Sequence, residues 1–397
     1  MAEPANTPMP PLDADLSDAA LRIPRTIRTA AAGPAPSHPR LYHLLILILI
    51  LYRHSSQHTS SPPLRVFIDL TYAALSASFT VIRPPAAERS RPQFLQALRE
   101  RRWGDFDAVL RPFWGTGGEM GRWDAELVEL LPASLRVFAS AGAGFDWADV
   151  ELLGERGIVY CNGGLAAAEA VADFAVALVI GTFRALPYCL SSSATGGSSK
   201  FEKCHDDATP RSRNLRSQTL GLVGLGNIGQ QLALKFTLAF GMTVLYYDIE
   251  RKPAALEGKL GVRFCASLEA LIRVSDCVVL SSGGSPPGGR LVNVARGSLV
   301  DEEALASALE AGKLSAAALD VHADEPRVNP RLAALADDKV MLTCHNAGGT
   351  VETHVGFEEL AMRNVMAVLG GGAPITPINL QYLKKKGGSL KDSGALT

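Results

Sequence analysis

The amino-acid sequence predicts an α/β protein with two domains, each built on a doubly wound parallel sheet. Short apolar strands alternate with helical segments from residue 64 onward, which is typical of parallel sheets covered by helices. Apolar residues make up 47% of the chain and charged residues 20%, which is enough for large cores and excludes disorder of the whole chain. The 397 residues suggest two or three domains, at roughly 150 residues per domain.

The charge balance and the cysteines exclude several classes of protein. The net charge is −1 and the pI is near 6.7, so no charge excess indicates binding to nucleic acid or to an acidic membrane. The six cysteines are scattered, and no two are two or three residues apart, which argues against a disulfide framework or a zinc site. We therefore predict reduced thiols, no metal site and a cytoplasmic location.

Residues 1–63 differ in composition from the rest of the chain. They are rich in Pro, Ala and Ser, and their one apolar run covers residues 44–51. A membrane-spanning helix needs about 20 apolar residues, so this run is too short to cross a bilayer alone. We predict a disordered leader, and a weak membrane anchor remains the alternative.

The first globular segment, residues 64–185, has the pattern of a parallel sheet. Strands are predicted at 64–69, 107–110 and 135–140, and helices at 91–101 and 124–131. The last of these strands runs into a glycine-rich turn at residues 141–144. The nearly all-apolar helix at 166–180 is interpreted as a buried connector rather than as a membrane span.

The second segment, residues 186–349, repeats strand and helix more regularly, after a polar stretch with a predicted loop at 191–199. Strands are predicted at 219–225, 243–248, 277–280, 290–295, 316–321 and 340–345, and helices at 228–240, 268–274 and 302–310. A last helix at 350–369 is assigned to the first domain, which is therefore discontinuous, with residues 350–385 as its second part. Residues 386–397 are predicted to be a disordered tail.

A glycine fingerprint stands where the first strand of the second segment meets its helix. Gly224, Gly226 and Gly229 form G-x-G-x-x-G, and Asp248 ends the next predicted strand 19 residues after Gly229. The first glycine makes the turn, the second lets a pyrophosphate approach, and the third lets the helix pack on the strand. The context favours a Rossmann domain that binds NAD, because a carboxylate accepts the ribose hydroxyls and repels a 2′-phosphate. The nearby cations Arg251 and Lys252 weaken this preference, so NADP remains an alternative cofactor. The structural alternative is a glycine turn that binds no ligand.

Three later segments place polar residues where the predicted strands end: 292–297, 319–326 and 342–348. Together with the turn at 140–146 and the Rossmann glycines, they resemble the D-isomer-specific 2-hydroxyacid dehydrogenases. The resemblance covers roughly residues 64–380 and is greatest to the fungal glyoxylate/hydroxypyruvate reductases and D-mandelate dehydrogenases. It implies an oxidoreductase that interconverts small 2-oxo acids and D-2-hydroxy acids with NAD(P), and a homodimer.

The resemblance also implies roles for individual residues. His345 is the general acid, Glu325 orients its imidazole, and Arg296 holds the substrate carboxylate. The backbone N–H groups of Ala141 and Gly142 bind the same carboxylate. The resemblance further places Asn227, Ile228, Ala295, Asp320 and Gly348 at the cofactor. His322 and His354 are the other candidates for the catalytic histidine. They are interpreted as surface residues or as residues behind the catalytic groups.

The segment 281–290 departs from the family pattern. Its ten residues include four glycines and two prolines, where the family has a turn and a helix. We therefore predict an exposed apolar patch beside the strands at 277–280 and 290–295 and a weakened cofactor pocket. The departure keeps open a second interpretation, a family member that binds the dinucleotide without catalysis. A hydrolase is not supported, because the chain has no G-x-S-x-G, H-E-x-x-H or P-loop.

Overall fold

The computed structural model describes residues 43–46, 63–111, 121–194, 197–280 and 288–383. These residues belong to one compact unit, Tyr42–Thr397. Within it they form two parallel sheets, one of five strands and one of seven. The α/β fold class and the parallel sheets predicted from the sequence are confirmed. The predicted tail at 386–397 lies outside the described residues.

The five-stranded sheet has the strand order β2-β1-β3-β4-β5. Its strands are β1 (His43–Ile46), β2 (Thr80–Ile82), β3 (Ala108–Arg111), β4 (Val137–Ser140) and β5 (Val159–Cys161). Strand β1 pairs with β2 on one side and with β3 on the other. The prediction that residues 1–63 are disordered throughout is therefore wrong at residues 43–46. The remaining leader residues lie outside the described part of the chain, except Pro63.

The predicted strand at 64–69 is also wrong, because these residues open the helix α1 (Pro63–Ser78). A short apolar run fits a strand and a buried helix equally well, so flanking residues must decide. Here Tyr72, Leu75 and Phe79 continue the run at helical spacing and pack into the core beneath α13 (Val351–Leu369). Instead of residues 64–69, the strand β1 occupies the position between β2 and β3 in this sheet.

Helices flank the five-stranded sheet at both faces. They are α2 (Arg91–Arg99), α3 (Ala125–Glu129) and α4 (Val150–Glu155), and α13 packs on β3 and β4 from the other side. The side chains of Asp124 and Asp149 cap α3 and α4 by accepting backbone N–H groups three residues later. The predicted helices at 91–101, 124–131 and 350–369 are confirmed, with ends shifted by a few residues.

The helix α5 (Gly164–Phe183) joins the two sheets. By length and apolar content alone it could cross a membrane. In the structure, however, Ala167 and Val171 lie in the core of the first sheet, and Ala175 and Val179 in that of the second. The interpretation of this segment as a buried connector is confirmed.

The seven-stranded sheet has the strand order β12-β11-β10-β9-β6-β7-β8. Its strands are β6 (Thr219–Val223), β7 (Thr243–Tyr247), β8 (Val262–Phe264), β9 (Cys277–Leu280), β10 (Arg290–Asn293), β11 (Ala316–Leu319) and β12 (Val340–Leu342). The strands β6, β7 and β8 extend the sheet in one direction, and β9 to β12 extend it in the other. The direction therefore reverses between the neighbouring strands β6 and β9. In doubly wound sheets ligands bind outside the carboxyl ends of the strands at such a point.

The helices that precede and connect these strands are the three predicted ones and four that the sequence pattern did not indicate. They are α6 (Leu186–Ala194), α7 (Ser198–Ala208), α8 (Asn227–Leu234), α9 (Ala254–Leu260), α10 (Leu268–Val274), α11 (Glu302–Glu310) and α12 (Pro330–Ala334). The predicted loop at 191–199 is wrong at both ends, since α6 runs to Ala194 and α7 begins at Ser198. The helix predicted at 228–240 continues from α8 as a π-helical turn, Lys235–Ala239.

The strands β9 and β10 lie side by side in parallel, although only residues 281–289 connect them. Residues 281–287 lie outside the described part of the chain. The prediction of an exposed apolar patch is wrong for the described strand residues, because Val278, Leu280 and Leu291 are buried. Leu271 of α10 and Leu309 of α11 belong to the same core and cover this region.

Candidate functional site

The glycine fingerprint forms the tight turn between β6 and α8. Gly224 has φ +99°, a conformation that favours glycine, so its predicted role in the turn is confirmed. A Cβ on Gly229 would overlap the carbonyl oxygen of Gly224, which confirms close packing of the helix on the strand. A Cβ on Gly226 would meet no described atom within 4 Å. Open space at the second glycine, in front of a helix N-terminus, is what the pyrophosphate of a dinucleotide requires.

Asp248 stands at the end of β7 beside this turn. Its Oδ2 accepts the backbone N–H of Leu225 at 2.9 Å and lies 3.2 Å from Lys252 Nζ. Burial alone would raise the pKa of Asp248, but these two partners lower it, so the side chain is a carboxylate. The guanidinium of Arg251 instead binds Glu257, at 2.9 and 2.8 Å. The glycine turn and Asp248 together fit the adenosine half of a dinucleotide.

His345 lies three residues beyond β12, at the carboxyl edge of the same sheet. Its backbone is in the left-handed region, with φ +54°, and its N–H donates to the carbonyl of Asp320 at 2.6 Å. A non-glycine residue in this region is strained and persists only where its surroundings hold it. The Asp320 side chain does so: Oδ1 accepts Thr343 Oγ1 and the Asn346 N–H, and Oδ2 accepts the Ala347 N–H.

Glu325 and His345 form a hydrogen-bonded pair, as the resemblance implied. The distance from His345 Nδ1 to Glu325 Oε2 is 2.8 Å, and Glu325 Oε1 accepts the backbone N–H of His322 at 3.0 Å. Partial burial alone would raise the pKa of Glu325, but these two hydrogen bonds outweigh it and lower the pKa. A carboxylate at Nδ1 fixes the imidazole so that Nε2 is the nitrogen available for proton transfer. The imidazole itself is half exposed.

Arg296 follows β10 and reaches the turn at the end of β4. Asn293 shapes its backbone, since Nδ2 donates to the Arg296 carbonyl at 2.9 Å and Oδ1 accepts the Ala295 N–H at 3.0 Å. A Cβ on Gly144 would overlap the Arg296 guanidinium, so the side chain lies directly on this glycine. Its Nε lies 3.6 Å from Asp146 Oδ2. The carboxyl edges of both sheets therefore meet at Arg296.

The turn 141–144, which contacts Arg296 through Gly144, contains several backbone N–H groups. The N–H of Ala141 donates to the Arg111 carbonyl at 2.7 Å, which continues the ladder between β3 and β4. The prediction that Ala141 binds a carboxylate through its N–H is therefore wrong. Among the described residues, no acceptor faces the N–H groups of Gly142, Ala143 and Gly144. Consecutive free N–H groups form a concave site for an anion.

The remaining predicted site residues have clear positions. Asn227 and Ile228 open α8, Ala295 precedes Arg296, and Gly348 packs on α5 near Val171. Among the rival histidines, His322 is buried next to Glu325, whereas His354 lies on α13 near Phe357. Sequence analysis missed Ala143 and Gly144, and it gave His322 no definite role.

Comparison with known families points to one group of enzymes. The family model for the NAD binding domain of D-isomer specific 2-hydroxyacid dehydrogenases matches residues 176–347. The chain is 35% identical over 281 residues to a glyoxylate reductase of Thermococcus kodakarensis, which covers 66% of this chain and 82% of the relative. It is 31% identical over 317 residues to 4-methyl-2-oxopentanoate reductase A of Aspergillus oryzae, covering 76% and 92%.

Solved structures give the same result. The apo form of D-mandelate dehydrogenase from Rhodotorula graminis superposes with a TM-score of 0.75 and 35% identity, over 85% of this chain and 98% of that one. A glyoxylate reductase from Paecilomyes thermophila superposes with a TM-score of 0.72 and 28% identity, over 86% and 99%.

Proposed function

The chain belongs to the D-isomer specific 2-hydroxyacid dehydrogenase family and is an NAD(P)-dependent oxidoreductase, and on this basis we propose that it reduces 2-oxo acids to D-2-hydroxy acids. The proposal depends on one observation: catalytic side chains at one sheet edge lie next to backbone N–H donors at the other. The Glu325–His345 pair and Arg296 stand at one sheet edge. The N–H groups of the turn 142–144, for which the described residues offer no acceptor, stand at the other edge, where Gly144 contacts Arg296.

Arg296 and the turn bind the substrate carboxylate in this scheme. A guanidinium offers two parallel N–H donors, so it can hold a carboxylate oxygen and polarise the neighbouring carbonyl. The N–H groups of Gly142, Ala143 and Gly144 neutralise the same carboxylate without a second side-chain charge. The 2-oxo carbonyl is thereby oriented toward His345.

His345 donates the proton that the carbonyl oxygen needs during reduction. Its Nδ1–H is held by Glu325, so Nε2–H faces the substrate, and the carboxylate stabilises the imidazolium that precedes transfer. The dinucleotide, when bound at the glycine turn, supplies the hydride that adds to C2. In the oxidation direction the neutral Nε2 accepts the hydroxyl proton.

NADH is proposed as the preferred cofactor over NADPH. Asp248 is a carboxylate next to the glycine turn, where it repels a 2′-phosphate. Of the two nearby cations, Arg251 binds Glu257, so it does not face the site of a 2′-phosphate, and Lys252 pairs with Asp248 and offsets part of its charge. We therefore expect NADH to give the higher kcat/KM.

The substrate side chain is proposed to lie against Phe145, which follows the turn and remains 37% exposed. Its neighbour Trp147 is instead packed against Phe138 and Tyr160, so it belongs to the core. An exposed aromatic ring beside the carboxylate site favours 2-oxo acids with an apolar substituent. We expect lower KM values for phenylglyoxylate and 4-methyl-2-oxopentanoate than for glyoxylate or hydroxypyruvate.

The experiment is NADH oxidation with these four acids, followed by chiral analysis of the products. Turnover of one or more of them to the D product supports the proposal. The variant F145A should raise the KM for phenylglyoxylate at least about tenfold, since burying an aromatic ring contributes about 1.5–3 kcal/mol, and should leave the KM for glyoxylate nearly unchanged. Binding of NADH without turnover of any acid would contradict the proposed reaction.

The alternative of a non-catalytic dinucleotide-binding protein is not favoured. The relatives are named as reductases and dehydrogenases, and the Glu325–His345 pair is present. The boundaries near residues 186 and 349, the homodimer and the cytoplasmic location remain proposals. The boundary near 186 follows from α5, which connects the sheets, and the boundary near 349 from α13, which packs on the first sheet. The homodimer follows from the family resemblance, and the cytoplasmic location from the scattered cysteines.

A further inference from the structure

His322 is a buried histidine that the proposed chemistry does not use. It follows β11, its side chain is 3% exposed, and both ring nitrogens face other parts of the chain. Nε2 lies 2.8 Å from the carbonyl oxygen of Thr343, and Nδ1 lies 4.0 Å from Glu302 Oε1. A buried imidazole with defined neighbours has either a packing role or a positioning role.

The neighbours of the ring determine its hydrogen-bonding state. A carbonyl oxygen can only accept, so Nε2 carries a proton and donates it to Thr343. Nδ1 is buried and makes no hydrogen bond to a described residue. The ring therefore makes one directed hydrogen bond, to the chain two residues before His345.

His322 contacts the three segments that carry Arg296, Glu325 and His345. A Cβ on Gly297, the residue after Arg296, would overlap the backbone carbonyl of His322. The His322 N–H donates to Glu325 Oε1, whose other oxygen binds His345. The ring holds Thr343 from one side, while Asp320 holds Thr343 and Asn346 from the other.

We propose that His322 is a positioning residue for the Glu325–His345 pair. Its Nε2–H fixes the Thr343 carbonyl and with it the strained backbone at His345, so that Nδ1 of His345 meets Glu325. This inference rests on the proposed function for its effect on turnover, but not for its effect on the geometry of His345. Loss of the Thr343 hydrogen bond should let His345 leave the left-handed conformation and separate from Glu325.

Two substitutions separate the hydrogen bond from the packing. H322F keeps an aromatic ring of similar size and removes the donor, whereas H322Q keeps an N–H donor at about the reach of Nε2. We expect H322F to lower kcat about 30-fold, since a displacement of about 1 Å in a catalytic group costs up to 100-fold. The KM for the 2-oxo acid and the Kd for NADH should stay within about threefold of the parent values, and H322Q should recover most of the kcat.

The second readout is independent of turnover. ¹⁵N NMR of labelled histidine rings at alkaline pH reports which nitrogen of neutral His345 carries the proton. In the parent protein and in H322Q we expect the Nδ1–H form, because Glu325 accepts from Nδ1. In H322F the signal should change to a mixture of the two tautomers. H354F, which replaces a half-buried histidine on α13, is the control and should leave the His345 signal unchanged.

The outcomes decide the inference in each case. It is overturned if H322F keeps the Nδ1–H signal of His345, or if H322Q loses that signal as H322F does. If H322F does not fold, H322N takes its place, because its shorter amide cannot reach Thr343. A parent protein that binds NADH but reduces no acid would refute the proposed function alone, and the NMR comparison would still test His322.

Discussion

The two sheet edges that meet at Arg296 supply different kinds of groups. The five-stranded sheet contributes backbone N–H groups at residues 142–144, which carry no charge and do not titrate. The seven-stranded sheet contributes Arg296, Glu325 and His345, which depend on side-chain chemistry and on a network of hydrogen bonds. In the proposed reaction, the backbone N–H groups bind the substrate carboxylate by their arrangement, whereas Arg296 binds it by charge and His345 transfers the proton.

This difference predicts how substitutions at the two edges will behave. A side chain at the second edge can be replaced without altering the backbone, so its chemistry can be removed alone. At the first edge the groups are backbone atoms, so only added bulk can disturb them. Substitutions at the edge of the seven-stranded sheet should have the largest effects, and these should appear in kcat. Substitutions at the edge of the five-stranded sheet should have smaller effects, which should appear in KM.

H345Q should have the largest effect. It removes the only proposed proton donor and keeps a side chain of similar polarity, so kcat should fall about 10³-fold, within the range for general acids. The Kd for NADH, measured by fluorescence, should stay within about twofold, as the cofactor is held at the glycine turn. H205Q, on α7, is the matched control; a similar loss in H205Q would show that the effect is not specific to His345.

G226A should weaken NADH binding about 100-fold without destabilising the protein. An added Cβ meets no described atom within 4 Å, so it fills only the space that the pyrophosphate needs. G229A is the contrasting variant, because its Cβ would overlap the Gly224 carbonyl and should lower the Tm. Equal losses of Tm in both variants would contradict this division of roles within one motif.

G144A tests the contact between the two edges. The added Cβ would push the Arg296 guanidinium away from the turn, so kcat/KM for the 2-oxo acid should fall about 30-fold, mainly through KM. G258A is the control, because its added Cβ would meet no atom of the described residues within 4 Å. Unchanged kinetics in G144A would mean that the turn and Arg296 do not bind the same carboxylate.

The smallest effect concerns stability in acid. Hydrogen bonds from Arg251 and then Tyr246 lower the pKa of Glu257 to about 2. Its contribution to the free energy of unfolding is therefore complete above the usual pKa of about 4.3 and is lost as the pH falls toward 2. Urea midpoints of E257Q should lie below the parent values at pH 6 and converge with them near pH 2. E202Q, which removes an equal charge from α7, should show no such convergence.

The seven-stranded sheet could be predicted from the sequence more completely than the five-stranded one. Ser267 and Asp301 cap α10 and α11 beside clear apolar runs, so both helices were located to the residue. The run at 64–69 fits a strand or a helix, and packing against α13 decides for the helix. The short helix α9 lies between Pro253 and Gly261 but has no side-chain N-cap, and the sequence analysis predicted neither α9 nor the strands β1 and β8.

The catalytic side chains of the site could be predicted from the sequence. The backbone N–H groups of the turn and the contacts of His322 could not. Arg296, Glu325 and His345 belong to sequence motifs, and the pairing of Glu325 with His345 is confirmed. Which N–H groups of the turn have an acceptor depends on the register of β3 and β4, which pairs Ala141 with Arg111 and gives Gly142 no acceptor among the described residues. The ring of His322 has its partner in Thr343, which follows β12 and lies 21 residues further along the chain, a contact that no local pattern indicates.

Transfer of deuterium from NADH labelled at C4 of the nicotinamide tests the central claim most directly. With phenylglyoxylate or 4-methyl-2-oxopentanoate, we expect the product to be the D-2-hydroxy acid with deuterium at C2, and the yield to collapse in H345Q. Labelled NADH that binds without passing deuterium to any 2-oxo acid would contradict the claim, as would transfer that gives the L product.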